Sequence, residues 1–141
     1  MKIKKTALFL VECTKDEVLM LNGCLSEIHE LYCYELHVPE SRFDFEKEIG
    51  LTLPETDALR SQIGTSFELG KAQSTVWHFQ FCDKELSAIL RSIEKLVSPK
   101  SPLYWELGIR TGFDPEEYSL LGNEIRAALA AADNEHRLED I

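Results

Sequence analysis

The chain has 141 residues, 44% apolar and 28% charged, which is enough to bury one sizeable core. Its formal charge is −10, with seven basic and thirteen acidic residues up to Gly70 and eight and twelve from Lys71 onward. That balance repels phosphate backbones and anionic lipid, so it argues against nucleic-acid and membrane binding and suits a basic protein partner.

No apolar run approaches the roughly 18–20 residues a membrane span needs. Met1-Lys2-Ile3-Lys4-Lys5 has the charge of a signal-peptide start, but Ala7–Val11 is short, ends at Glu12 and offers no small-residue cleavage site. The stretch reads as a strand and the expected compartment is the cytoplasm. Cys13, Cys24, Cys33 and Cys82 form no CxxC pair and are expected as reduced, mostly buried thiols.

Along the chain, Thr6–Cys13 has the apolar content of a buried strand. Thr14-Lys15-Asp16-Glu17 is a capping box, and a helix from about Lys15 to Leu31 should follow with Val18, Leu21, Leu25, Ile28 and, just past its end, Tyr32 inward. Gly23 interrupts that helix at a cost of about 1 kcal/mol relative to alanine, which close packing against a neighbour would explain. Cys33–Val38 alternates weakly and predicts a short strand ended by Pro39. Phe43, Phe45 and Ile49 suggest a compact turn or short helix, closed by Gly50 at positive φ. Thr52-Leu53-Pro54-Glu55 starts a helix through Leu59 to Ile63.

Gly64–Ser74 is rich in glycine and small polar residues and reads as a joint. Val76–Phe81 predicts a second strand with Trp77, Phe79 and Phe81 on one side and His78 and Gln80 on the other. Asp83 can cap a second long helix that stops near Val97. Ser98-Pro99-Lys100-Ser101-Pro102 cannot stay helical. Leu103–Arg110 matches the Phe43–Lys47 region in position, and Asp114-Pro115-Glu116-Glu117 starts a last helix running through Ala127–Ala132.

Much of this order occurs twice. Phe9, Val11 and Cys13 are answered by Trp77, Phe79 and Phe81. Val18, Leu21, Leu25 and Ile28 are answered by Leu86, Ile89, Ile93 and Leu96 at the same spacing. Gly50 through Glu55 matches Gly112 through Glu117, and Leu59 and Ile63 match Leu121 and Ile125. The expectation is an α+β single domain of two pseudo-symmetric strand–helix–loop–helix units, approximately residues 1–70 and 71–141, sharing a small central sheet.

Leu21-Asn22-Gly23-Cys24-Leu25-Ser26-Glu27-Ile28, followed by Phe45 through Thr52 and by Glu55, resembles a family of small bacterial proteins of uncharacterised function. The family pattern has Leu-Asn, then Leu-x-Glu-aliphatic, and later Phe-x-x-Arg-aliphatic-Gly before a capped helix. The resemblance covers about Val18 to Ile63; Glu48 stands where arginine is expected, whereas Arg110 keeps that residue type in the second unit. It implies no activity, cofactor or substrate.

The units differ most between His29 and Arg42, where the first is longer by about six residues. From Glu27 to Glu48 there are seven acids against Arg42 and Lys47. An elaborated acidic loop points to partner binding, with Tyr32, Tyr34 and Phe43 as anchors and Glu35, Glu40 and Asp44 as steering charges. The expectation is therefore a binding module, such as an inhibitor or immunity-type protein covering a basic surface, with no cofactor.

A metal-dependent or hydrolytic enzyme is the alternative. His29, Cys33 and His37 are spaced by four and would line one face of a continuous helix, although Val38-Pro39 disfavours helix there. A DNA-binding regulator is a third reading, resting on Arg60, Ser61 and Gln62, with Glu55 and Asp57 beside them opposing it. No nucleophile elbow, phosphate-binding glycine loop or HExxH motif occurs.

Overall fold

The protein is seen in a computed structural model that describes residues 1–36 and 44–139, with side chains over 1–33 and 44–135. Strands β1 (Lys2–Lys5), β2 (Phe9–Thr14) and β3 (Val76–Phe81) form one antiparallel sheet in the order β1–β2–β3. The helices are α1 (Lys15–Leu36), α2 (Phe45–Ile49), α3 (Leu53–Gly70), α4 (Asp83–Leu96), α5 (Leu107–Thr111) and α6 (Pro115–Glu139), with a 3-10 turn at Tyr104–Glu106. The class is α+β, as the sequence implies.

Alternation decides the sheet. Phe9, Val11 and Cys13 of β2 and Trp77, Phe79 and Phe81 of β3 are buried on one face, and they pair as Phe9↔Phe81, Val11↔Phe79 and Cys13↔Trp77. That face packs on α1 and α4, which lie against each other; α3 lies against α1 and β3, and α6 against α4 and β1. The opposite face, with Leu10, Glu12, His78 and Gln80, meets solvent.

Helix starts follow the capping chemistry. The Glu17 backbone N–H donates to Thr14 Oγ1 (3.3 Å) and the Thr14 N–H donates to Glu17 Oε1 (2.8 Å). Thr52 and Glu55 make the same reciprocal pair, as do Asp114 and Glu117. Gly50 and Gly112 end α2 and α5 at φ 95° and 85°, a conformation that penalises any side chain.

Four local expectations need correction. Lys2–Lys5 is a strand although only Ile3 there is apolar, because pairing with β2 satisfies its backbone (Lys2↔Glu12, Lys5↔Phe9). Residues 33–36 are helical, not strand: α1 continues to Leu36, with Tyr32 packed edge-on against Phe45 at 5.4 Å. Gly64 through Gly70 belongs to α3 rather than to a joint. A helical glycine costs only about 1 kcal/mol, and Phe67 gains a contact with Trp77 at 5.3 Å. The N-cap of α4 is Cys82, whose N–H donates to Glu85 Oε1 (2.9 Å), so Asp83 is the first helical residue.

Gly23 has the close neighbour its position called for. A Cβ there would stand 2.7 Å from the Tyr118 hydroxyl. That hydroxyl is buried against Thr111, whose own hydroxyl donates to Leu107 O (2.8 Å) and accepts the Phe113 N–H (3.2 Å). Tyr118→Phe is expected to change stability by no more than about 1 kcal/mol, since the hydroxyl's neighbour Thr111 is already engaged elsewhere. Gly23→Ala is expected to destabilise the parent by about 1–3 kcal/mol but to be neutral or stabilising in the Tyr118→Phe background. Equal cost in both backgrounds, read by denaturant unfolding, would contradict this contact.

Candidate partner-binding surfaces

Of the sequence-predicted partner-binding side chains, those of Tyr32 and Asp44 are described, and the fold brings them to one groove. Tyr32 is half-buried against Phe45, and Asp44 is the N-cap of α2, accepting the Lys47 N–H at 3.2 Å. Both border a groove of about 460 Å³ with Phe45, Glu46, Thr52 and Leu53. Tyr34 and Glu35 lie on α1, but their side chains fall outside the described residues, as do Glu40, Phe43 and His37 altogether. His29 and Cys33 are half-buried one turn apart on α1, and among the described residues no three metal-ligating side chains converge. Arg60 pairs with Asp57 at 3.4 Å. All four cysteines are free thiols; burial pushes Cys13 and Cys24 up to about 12, in keeping with inert core positions.

Two ion pairs tie the short helices to the long ones. Glu27 on α1, only 7% exposed, accepts from Arg110 Nε on α5, and Lys95 on α4 donates to Glu48 on α2 at 3.1 Å. Glu27 is the main reason the Arg110 guanidinium is held above its ordinary range, with Glu30 and Glu106 adding to it. The end of the molecule that carries Arg110 is thus acidic.

At that end sits a feature the sequence reading missed. Trp105 is 84% exposed and Ile109 is 90% exposed, one helical turn apart across the 3-10 turn and α5. Tyr104 meets the Trp105 ring edge-on at 4.9 Å. Isolated exposed apolar residues are ordinary, but an unburied indole beside an isoleucine, next to carboxylates, is uncommon on a chain that buries its other tryptophan.

A second concavity crosses the solvent face of the sheet. It holds about 660 Å³ and runs from Lys2 and Lys4 over Leu10 and Glu12 to His78 and Gln80, bounded by Gln62 and Ser66 of α3. Glu12 is engaged there by Lys2 (3.7 Å) and His78 (3.3 Å). Gln62 also borders a smaller groove of about 350 Å³ with Glu55, Ala58, Cys82 and Glu85.

The amino group of Met1 lies between Glu17 and Glu124, the latter at 3.6 Å. Burial works against its charge, but the hydrogen bond and charge of Glu17, with Glu124, outweigh it and raise its pKa above 8.0. For Glu17, burial works against the carboxylate, but the bonds from Met1 and Thr14 outweigh it and hold the pKa below 4.5. The raised amine contributes stability below about pH 8 that is lost as pH climbs through its folded value, and the depressed carboxylate contributes above about pH 4.5 and is lost as pH falls. Glu17→Gln, which preserves the capping box, should therefore lower the unfolding midpoint most between these limits, with the difference from the parent shrinking on both sides.

No protein-family model matches the chain, and no curated protein or solved structure shows significant similarity to it. No helix among the described residues is long and apolar enough to cross a membrane.

Proposed function

We propose that this protein is a small binding module, of inhibitor or immunity type, that covers a basic surface on another protein. The observation that carries the reading is the Trp105–Ile109 pair, two large apolar side chains left in water one turn apart. Tryptophan is among the residues that most often dominate interface energy, and exposing it alone earns the free protein nothing. Glu106 and Glu30 are exposed near it, Glu27 is close by through Arg110, and the whole chain carries −10. Such a field speeds encounter with a cationic partner, while the apolar pair fixes the docked complex. The acidic Glu27–Glu48 segment begins at Glu27 on the same end and adds to the chain's negative charge.

The same reading takes the chain as two strand–helix–loop–helix units related by an approximate two-fold axis. Its support is positional. Val11 pairs with Phe79, its own counterpart by sequence, at the centre of the β2–β3 ladder. Glu27 and Lys95 are counterparts, Glu48 and Arg110 are counterparts, and the contacts formed are Glu27–Arg110 and Glu48–Lys95, the same swapped pairing with opposite polarity.

Steering by charge is testable separately from the anchors. Glu30→Lys with Glu106→Lys should slow association with the partner about tenfold at low salt and remove most of its salt dependence, with dissociation little changed. An unchanged association rate would leave the acidic face without a role.

A further inference from the structure

We propose that the free edge of β3 is a seat for an extended segment of a partner protein, added antiparallel to β3 with its amino-terminal ammonium at Glu85. The inference rests on the two-unit correspondence and concerns a surface apart from Trp105.

On the first unit such a seat is already filled. β1 pairs with the outer edge of β2, α6 lies against it, and the Met1 ammonium is held between Glu17 and Glu124. Glu17 is the third residue of the helix that follows β2, and one of its oxygens takes the Thr14 N–H while the other takes the ammonium. The second unit repeats the frame. Glu85 is the third residue of the helix that follows β3, and Oε1 takes the Cys82 N–H. Gln62 on α3 stands where Glu124 stands on α6, and Glu55 and Leu59 answer Glu117 and Leu121 around the two grooves.

What is missing is the strand. Among the described residues no strand pairs with the outer edge of β3; the chain before it turns at Gly70–Ser74 out of α3, a helix that lies against β3 without adding a strand to it. A sheet edge left open presents unpaired backbone groups, and strand addition is the recurring way proteins use one. No cation pairs with Glu85 among the described residues, and Lys84 beside it is taken by Glu55 at 3.4 Å.

The frame also states the chemistry of the occupant. Transferring the β1 register places its second to fifth residues opposite Gln80, Phe79, His78 and Trp77. The third residue points inward, as Ile3 does, and should be apolar. Lys15 stands where Asp83 holds Lys5 (3.4 Å), so a carboxylate suits the fifth position. A second copy cannot supply this segment from its own amino terminus without emptying its own β2 edge.

The test uses the full chain and the peptide Met-Lys-Ile-Lys-Glu-Thr, with a free or an acetylated amine. The free peptide is expected to bind about tenfold more tightly than the acetylated one, the worth of one charge-assisted hydrogen bond. Binding should slow amide exchange across Val76–Phe81. Glu85→Gln, which keeps the cap, should erase the difference between the peptides, and Gln62→Glu should enlarge it. The Trp105→Ala/Ile109→Ser variant should bind the peptide as the parent does, so the two surfaces fail or hold independently. Equal affinities, no binding, or protection confined to β2 would overturn the proposal. Concentration-dependent protection of β3 without peptide would overturn it too, by assigning the edge to a second copy. A solved structure of the full chain in which one rotation superposes residues 1–70 on 71–141, with peptide binding absent, would retain the two-unit reading and remove only the seat.

Discussion

Phe81→Ala is expected to cost about 3–5 kcal/mol, lowering the denaturant midpoint with little change in slope. Phe81 is fully buried, pairs across the ladder with the equally buried Phe9, and stacks on Phe79 with ring centroids 5.6 Å apart. It also leads directly into α4, so the cavity would lie where sheet and helices share one core. Because a domain of this kind is stable by only about 5–15 kcal/mol, that one truncation removes a large part of the total. Leu69→Ala, at a site 83% exposed, should change stability by less than about 0.5 kcal/mol. Similar losses at both positions would mean that the core is not where the burial pattern puts it.

Trp105→Ala/Ile109→Ser should do the reverse. Both side chains face water in the free protein, so unfolding should shift by no more than about 0.5 kcal/mol. In the complex, each side chain is expected to be an anchor worth about 1.5 kcal/mol or more, which makes the combined loss of affinity at least about 100-fold. The loss should fall mainly on dissociation, in contrast to the association effect of reversing Glu30 and Glu106. A variant that unfolded readily would place Trp105 in a structural role instead.

The central strands were legible because Phe9/Val11/Cys13 and Trp77/Phe79/Phe81 alternate cleanly, and burial of one face imposes that period. Helix starts were legible at Thr14, Thr52 and Asp114 because capping is local chemistry. Ends were less so. Gly64 looked like a stop, but the Phe67–Trp77 contact that carries α3 past it joins residues distant in sequence. Tyr32, Cys33 and Tyr34 favour strand by type, yet nothing before Pro39 breaks the helix that reaches Leu36. β1 was invisible for a different reason: an edge strand of alternating lysines has almost no apolar signal.

For the site, the sequence reading located an acidic region and missed the exposed Trp105–Ile109 pair. Asp44, read as a steering charge, is exposed and also caps α2, and Tyr32, read as an anchor on the inward side of its helix, is half-buried against Phe45. Trp105 occupied a segment matched to Phe43–Lys47, and composition alone cannot say which face of a 3-10 turn and the short helix after it meets water. The ion pair between Glu27 and Arg110, across 83 positions of chain, is what places that helix beside the acidic end of α1. Sequence spacing does not show which of Glu27, Glu48, Lys95 and Arg110 meet, because that depends on how the short helices pack against the long ones.

The most direct measurement is affinity capture from the native cell, with wild-type protein and the Trp105→Ala/Ile109→Ser variant as parallel baits, followed by titration of whatever is retained. The account predicts a cationic protein held by the wild type, released by moderate salt, and bound at least about 100-fold more weakly by the variant. Recovery of the same protein with equal affinity on both baits, or of no cationic protein on the wild type, would contradict it.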